Sequence, residues 1–222
     1  MRRYLLAIQL KSDATFSSGE GLAGAIDTDV QHDEYGFPFL GGRTLKGLLA
    51  AAGADILFAM RSQVKSRFEN EYTRLFGRPG SKEGDTAILH VGDARLPIDL
   101  HTLIAYEIEQ KKTLTREEVL KSLTATRRQT AIDEFTGAPK VRSLRSSRVI
   151  LRETPFESEL IFFDDPTDRD MIFFAAIVKA FRQAGTGGNR GRGALVARLY
   201  DGISKKDVTD DYFARFRKEV CG

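Results

Sequence analysis

Apolar residues recur at two different periods along this chain, and the order in which the periods alternate restricts the fold more than any other feature. The segment "YLLAIQL" carries apolar residues on one face at period two, which predicts a strand over residues 3–11. From Thr44, which we expect to be the N-cap, apolar residues follow helical spacing over roughly 44–60. The segment "DPTDRDMIFFAAIVKAFRQAG" predicts a second helix, with Thr167 and Asp170 as a capping box. Period-two segments predict further strands at 86–96, 156–163 and 194–200.

The predicted elements follow one another as strand, helix, strand, strand, helix, strand. That order is typical of the ferredoxin-like (RRM-like) split βαβ fold of the α+β class, in which two helices cover one face of an antiparallel sheet. Residues 97–155, which include a predicted helix at 115–123, do not fit the pattern. We treat them as an inserted region, thumb-like in containing a β-hairpin, within a single domain of residues 1–222.

Composition restricts the class of protein further. A chain of 222 residues with 41% hydrophobic and 29% charged residues can bury a sizeable core, and no segment approaches the roughly 18 uninterrupted apolar residues of a membrane span. The start "MRRYLLAIQLKSD" lacks the apolar core and cleavage site of a signal peptide. The single cysteine, Cys221, cannot form an internal disulfide. We therefore expect a protein of the reducing cytoplasm.

Positive charge is concentrated in one segment of the sequence rather than spread evenly along it. The net charge is only +3, from 34 basic and 31 acidic residues, yet the run from Arg127 to Arg152 holds seven Lys or Arg against Asp133 and Glu134. Such a run can be an ordinary solvated face. Here the arginines are accompanied by Thr, Ser and Gly rather than by compensating acids, a pattern that favours a phosphate-contacting surface.

The segment "QAGTGGNRGRGALVARLY" packs five glycines and two arginines into residues 185–193. A dinucleotide fingerprint must lead from a strand into a helix, whereas this loop leaves a helix and enters a strand, and it does not match a Walker loop. A glycine C-cap with a tight turn would explain fewer glycines. We therefore favour a loop that lets a polymer backbone approach closely while Arg190 and Arg192 contact phosphates.

Three segments together resemble one family. "GTGGNRGRGAL" is similar to the glycine-rich, arginine-bearing loop between the last helix and last strand of the RAMP (repeat-associated mysterious protein) superfamily of CRISPR effector subunits. "DEYGFPFLGGRTLKGLLA" resembles that family's "G-x-P-x-I-P-G-S-S-L-K-G" entry to the first helix, and "RRQTAIDEFTGAPK" resembles the "R-x-x-I-D-R-x-T-G" segment of backbone subunits in type III complexes. The resemblance spans most of the chain.

The resemblance implies a backbone subunit that stacks as a filament along a guide RNA (crRNA) and presents the guide to a complementary target RNA. Its implied partners are both RNAs, copies of itself or paralogues, a large polymerase/cyclase-like subunit and a small subunit, with no membrane. An inserted hairpin, the thumb, would displace a nucleotide of the duplex. The residues predicted to bind RNA are Arg43, Thr44, Lys46, Arg127, Arg128, Ile132, Phe135, Arg142, Gly187, Gly188, Arg190, Gly191 and Arg192.

The resemblance also implies a cutting residue. "GAIDTDV" is similar to the family's "G-G-V-D-x-P-V" segment, so Asp27 matches an aspartate that cuts target RNA with a divalent metal, here magnesium, leaving a cyclic phosphate and a free 5′ hydroxyl. The alternative for Asp27 is a solvated loop acid. Asp29 stands where the family has a proline or small residue, and Asp33 looks like a turn-anchoring residue. His32 is a candidate helper in proton transfer, whereas His90 and His101 are isolated in sequence.

Two departures from the family pattern keep other functions open. The first motif reads "FLGGRTLKG", and Glu134 replaces the usual arginine of the third. Both are compatible with a divergent backbone subunit that cuts, and also with a non-catalytic subunit that binds the guide or caps the filament at the guide's 5′ end. A ferredoxin-like domain for an unrelated small ligand is the third interpretation.

Overall fold

The computed structural model describes residues 1–17, 26–60, 62–78, 87–130, 133, 135, 137–138 and 143–221. Within these ranges the chain forms two antiparallel sheets and several helices. In chain order the elements are β1 (Arg2–Leu10), α1 (Gly42–Ala59), α2 (Ser62–Phe76), β2 (Leu89–Val91), α3 (Ile98–Tyr106, extended by a π-helical turn at Glu107–Lys111), α4 (Arg116–Leu123), β3 (Thr124–Gln129), β4 (Arg145–Ile150), β5 (Pro155–Phe162), α5 (Asp168–Ala180), β6 (Leu195–Asp201) and α6 (Thr209–Cys221).

The main sheet has the strand order β2-β5-β1-β6, and all its neighbouring strands are antiparallel. At its centre Leu6 of β1 lies opposite Ser158 of β5 on one side and Leu199 of β6 on the other. The helices α1 and α5 connect the strands in the split βαβ manner. The predicted α+β, ferredoxin-like fold class is therefore confirmed.

Alternation along the strands separates a core face from an open face. In β1, Tyr4, Leu6, Ile8 and Leu10 are buried, while the residues between them are partly exposed. Helix α5 is buried along most of its length because it lies between the sheet and the helices α1, α2 and α6. Its predicted capping box is present: the Thr167 side chain accepts the Asp170 N–H. No helix in the described ranges is both long and apolar enough to cross a membrane.

The first helix begins earlier than the sequence pattern predicts. Its N-cap is Gly41, and Thr44 is already the third residue of the helix, so the predicted cap is wrong. The Gly42 N–H is instead satisfied by a distant side chain, since it donates to Asp93 Oδ1 at 2.9 Å. A cap supplied from 51 residues further along the chain leaves no local sequence signal.

The second strand is shorter than the predicted 86–96, and residue 86 lies outside the described ranges. It ends at Val91 because the chain turns close against β5: the Gly92 N–H donates to the Glu159 carbonyl at 2.8 Å. A Cβ at Gly92 would lie 3.2 Å from that same oxygen, so the approach favours glycine. Beyond the turn, Ala94 pairs with Leu40 instead.

Helices α2, α3 and α6 were not predicted. Helix α6 packs on the rest of the helical layer through Phe216, whose ring lies 5.4 Å from that of Phe68 and 6.4 Å from that of Phe173. Cys221 is an exposed free thiol at its end. The predicted helix at 115–123 is confirmed as α4.

Strands β3 and β4 form a separate hairpin, with pairs running from Thr124–Ile150 at its base to Gln129–Arg145. It lies within the region 97–155 that the sequence pattern leaves out of the main fold. Its base is joined to the loop before α1 by isolated bridges, Ala14 with Ile150 and Thr28 with Ser147. The hairpin that carries the basic run is thereby attached to the segment that carries Asp27.

Candidate nucleic-acid interface

Three distant segments meet along strand β3 of the hairpin. Asp13, just after β1, accepts hydrogen bonds from Arg127 Nε at 3.0 Å and Nη2 at 2.7 Å, and its carbonyl accepts the Gly193 N–H at 2.8 Å. Arg190 Nη1 of the glycine loop donates to Gln129 Oε1 of β3 at 2.7 Å. These contacts hold the glycine loop beside the hairpin, so the two basic segments singled out in the sequence adjoin each other.

Asp27 lies beside β4 as an exposed carboxylate in a defined position. Its Oδ2 accepts the Ser146 N–H at 2.6 Å, and its own N–H donates to the Ser146 carbonyl at 2.9 Å. Within the part of the chain that the structure describes, its second oxygen has no hydrogen-bond donor. The carboxylate is therefore held against β4 with one oxygen free for a ligand.

Asp29, two residues on, forms an ion pair that the sequence did not predict. Its Oδ1 lies 2.7 Å from Arg148 Nε, and the two side chains are only 11% and 15% exposed. The same oxygen accepts the Val30 N–H at 2.8 Å. This pair joins the Asp27 loop to β4, and it neutralises one arginine of the basic run.

Asp33 has the anchoring geometry predicted for it. Its Oδ1 accepts the N–H groups of Tyr35 and Phe37 at 3.1 and 3.0 Å, as in a tight turn. Its Oδ2 lies 3.1 Å from His101 Nε2 and 3.4 Å from Arg95 Nη1. His101 is therefore isolated only in sequence, and its place is structural.

His32, the candidate helper in proton transfer, contacts Arg116 and the Asp33 carbonyl rather than Asp27. Its Nδ1 lies 3.4 Å from Arg116 Nη2 of α4 and 3.2 Å from the Asp33 carbonyl. No contact between His32 and Asp27 is present among the described residues. The structure thus gives no support to a His32–Asp27 pair.

A cavity of about 780 Å³ opens at the start of α1 and is lined by Arg43, Thr44, Lys46 and His90. Lys46 Nζ donates to the Leu89 carbonyl at 2.7 Å, and burial lowers the pKa of its ammonium group. These residues fit an anion, as the sequence predicts for the first three. Sequence reasoning missed His90, which tertiary packing alone brings to the cavity.

The negative charge of Asp93 disfavours a second anion at the N-terminus of α1. Partial burial acts to raise the pKa of this carboxyl, but the Gly42 N–H and then Arg95 hold it below its ordinary value. The ionised carboxylate occupies the first free amide of α1. A phosphate there would contact Arg43 and the remaining amides rather than the whole terminus.

The backbone conformation of the glycine loop itself requires most of its glycines. Gly185, Gly187, Gly191 and Gly193 all have φ between +74° and +88°. A Cβ at Gly193 would lie 2.0 Å from the Ala184 carbonyl oxygen, whereas one at Gly191 would meet open space. The turn alone therefore explains much of the glycine content, and Gly191 is the position that leaves room for a ligand.

The basic run separates into paired and unpaired arginines. Arg127 and Arg148 are paired with Asp13 and Asp29. Across the described ranges no carboxylate forms an ion pair with the exposed Arg128. At the hairpin tip Phe135 is 97% exposed, as an apolar wedge would be. The predicted contacts Ile132 and Arg142, with Glu134, lie outside the described residues.

In the described ranges no group of three or more His, Cys, Asp or Glu side chains is arranged to hold a metal ion. Asp27 therefore stands as a single carboxylate beside the hairpin, since Asp29 is paired with Arg148.

Comparison with known proteins agrees with the fold. The model of the RAMP superfamily matches residues 8–196. The chain belongs to the RAMP superfamily. No curated protein sequence matches it.

Two solved structures show the same architecture. A chain of the type III-B Cmr-beta complex bound to cognate target RNA, determined by cryo-EM, superposes with a TM-score of 0.65 and 13% sequence identity over 96% of this chain and 99% of that chain. A chain of the apo type III-B Cmr-beta complex superposes with a TM-score of 0.64 and 14% identity, over 89% and 97% of the two chains. At these identities the similarity concerns the fold.

Proposed function

We propose that this chain is a guide-RNA-binding backbone subunit of a type III CRISPR effector complex and that it cuts complementary target RNA at Asp27. Membership of the RAMP superfamily and a fold shared with chains of the Cmr-beta complex support the first part. The observation that carries the second is the exposed Asp27 carboxylate, whose Oδ2 is held 2.6 Å from the Ser146 nitrogen in β4 of the hairpin. The partners are the guide RNA, the target RNA, other effector subunits and further copies or paralogues.

The guide is proposed to lie across the surface shared by the glycine loop and the hairpin. Arg190 is exposed there, and Gly191 leaves open space beside it. The segment from Asp27 to Gln31 then leads to the α1 cavity with Arg43 and Lys46. Cations separated along one surface suit the regular phosphates of a nucleic acid better than they suit one small anion.

Asp27 fits the way magnesium is commonly held in phosphoryl-transfer sites. Mg²⁺ usually binds through one or two carboxylates together with substrate phosphates and water, so a single carboxylate with a free oxygen is sufficient on the protein side. When bound, the ion would supply positive charge to the reacting phosphate. Because Ser146 occupies one oxygen, the other serves one role at a time: it would hold the ion, or it accepts the proton of the attacking 2′-hydroxyl while substrate phosphate and water hold the ion.

The test is Asp27→Asn in the assembled complex, with guide and target bound. The amide can still accept the Ser146 N–H, so the loop should keep its position while the charge is lost. We expect target cleavage to fall by at least about 100-fold with guide binding retained. Glu34→Gln, an exposed acid of the same loop, is the matched control and should cut normally. Cleavage by Asp27→Asn at the wild-type rate would remove Asp27 from the reaction.

A second candidate function is a non-catalytic subunit that binds the guide or caps the filament. It is favoured by the lone position of Asp27, because the described residues contain no acidic cluster for a metal. Counting copies of this chain per guide in the purified complex separates a repeated backbone subunit from a single cap. Cleavage that survives Asp27→Asn would favour the non-catalytic function.

A further inference from the structure

Arg128 of β3 lies directly opposite Ser146, the residue whose backbone holds Asp27. Ser146 turns both its backbone groups toward Asp27, since its N–H donates to Oδ2 and its carbonyl accepts the Asp27 N–H. Arg128 and Ser146 are therefore a non-hydrogen-bonded pair, in which opposite Cα atoms lie about 4.5 Å apart and the side chains project from the same face. The Arg128 side chain thus emerges one strand away from the Asp27 carboxylate.

Arg148 shows that a guanidinium on the Arg128 face of the hairpin can reach the Asp27 loop. It follows Ser146 by two residues, so it shares the face of Arg128, and its Nε lies 2.7 Å from Asp29 Oδ1 in the Asp27 loop. The charge of Arg148 is neutralised by Asp29 in that pair. Arg128 is exposed, and the described residues place no carboxylate within ion-pair distance of it. A fixed carboxylate and an unpaired guanidinium therefore border the same space without contacting each other.

We infer that Arg128 contacts the non-bridging oxygens of the phosphate that is cut in the target RNA. The inference rests on the proposed function of Asp27. In the reaction the bond between the 2′-oxygen and phosphorus forms and the bond between phosphorus and the 5′-oxygen breaks. The 2′-hydroxyl proton passes to the Asp27 carboxylate, the leaving 5′-oxygen takes a proton from water, and Asp27 then releases its proton to water.

Arg128 acts in this step through charge. A guanidinium stays protonated in proteins, so it cannot serve as acid or base, but it can donate two parallel hydrogen bonds to a phosphate. Negative charge grows on the non-bridging oxygens as the 2′-oxygen attacks. A donor aimed at that charge stabilises the transition state more than the ground state.

The experiment measures single-turnover cleavage by the assembled complex with saturating target RNA. Arg128→Gln should lower the rate by about 100-fold while guide binding is retained. Arg128→Lys should recover part of the loss, because it keeps the charge but not the paired hydrogen bonds. A target with sulfur in place of one non-bridging oxygen at the cut should slow the wild type more than Arg128→Gln, since the variant has already lost the contact.

The matched control is Arg145→Gln. Arg145 is an exposed arginine opposite Gln129, on the other face of the same hairpin, and its variant should keep the wild-type response to sulfur. Arg128→Gln with a wild-type rate, or with a wild-type response to sulfur, would overturn the inference. So would a loss of cleavage that only follows a loss of guide binding. Asp27→Asn is measured in parallel: if that variant cuts normally, the proposed function fails, and the failure is visible independently of Arg128.

Discussion

Asp93 illustrates how one side chain outside a helix can decide where the helix begins. Its carboxylate accepts the Gly42 N–H at 2.9 Å and pairs with Arg95 at 2.8 Å. Arg95 in turn reaches Asp33 and lies 4.5 Å from the centre of the Phe39 ring. The start of α1, and with it Arg43, is therefore placed by side chains from the loops on both sides of it.

Replacing Asp93 with alanine should destabilise the protein by about 1 kcal/mol at neutral pH, the usual loss for a helix cap. Because the pKa of Asp93 is lowered in the folded state, its stabilisation is present above the ordinary aspartate pKa of about 3.9 and is lost as pH falls through the lower folded value. Urea denaturation of wild type and Asp93→Ala at pH 7 and at pH 3 measures the difference, which should shrink at the acidic pH. A difference that does not change with pH would mean that the carboxylate charge is not involved.

At the scale of elements, the joint between the Asp27 loop and the hairpin depends on the Asp29–Arg148 ion pair. Both side chains are largely buried, so each charge relies on the other. Arg127 and Asp13 form a second pair at the same joint, but the Arg127 side chain is 50% exposed. The two pairs tie the same hairpin to neighbouring segments and differ mainly in their access to water.

We expect Asp29→Ala to cost about 3 kcal/mol of unfolding free energy, because it leaves the Arg148 charge buried without a partner. Arg127→Gln should cost less than about 1 kcal/mol, since exposed pairs contribute little. Urea denaturation of the two purified variants compares them directly. Equal costs would show that water reaches Arg148 more freely than its 15% exposure indicates.

At the scale of the whole molecule, the ferredoxin-like topology creates the proposed RNA surface. The glycine loop must leave α5 and enter β6, an edge strand beside β1, and Asp13 follows directly from β1. Asp13 then binds both the glycine loop and the hairpin through Gly193 and Arg127. A net charge of only +3 still allows a local basic surface, because the contact of Arg190 with Gln129 places the arginines of the glycine loop beside the hairpin.

Salt dependence of guide binding tests this surface. Binding of a single-stranded RNA releases about 0.7 counterion for each phosphate contact, so Arg190→Gln should lower the slope of log affinity against log salt by about 0.7. Arg182→Gln, an exposed arginine at the end of α5, is the control and should leave the slope unchanged. An unchanged slope for Arg190→Gln would place the guide elsewhere, and binding insensitive to salt would favour the small-ligand interpretation.

The sequence by itself determined the fold class, because the apolar periods and the Thr167–Asp170 capping box are local properties of the chain. It also predicted that Asp33 anchors a turn, which needs groups only two and four residues away. What only the tertiary structure decided involves partners far apart in sequence. The cap of α1 comes from Asp93, the fixed position of Asp27 comes from Ser146, and the pairing of Asp29 comes from Arg148.

The same contrast between local sequence signals and long-range contacts applies to the proposed RNA-binding site. Residue types and motifs pointed to the glycine loop, the basic run and Asp27, but they could not tell which arginines would be neutralised. Arg127 and Arg148 meet carboxylates more than 100 positions away, whereas Arg128 between them in the hairpin meets none among the described residues. An ion pair is set by distance in space, and folding alone determines that distance.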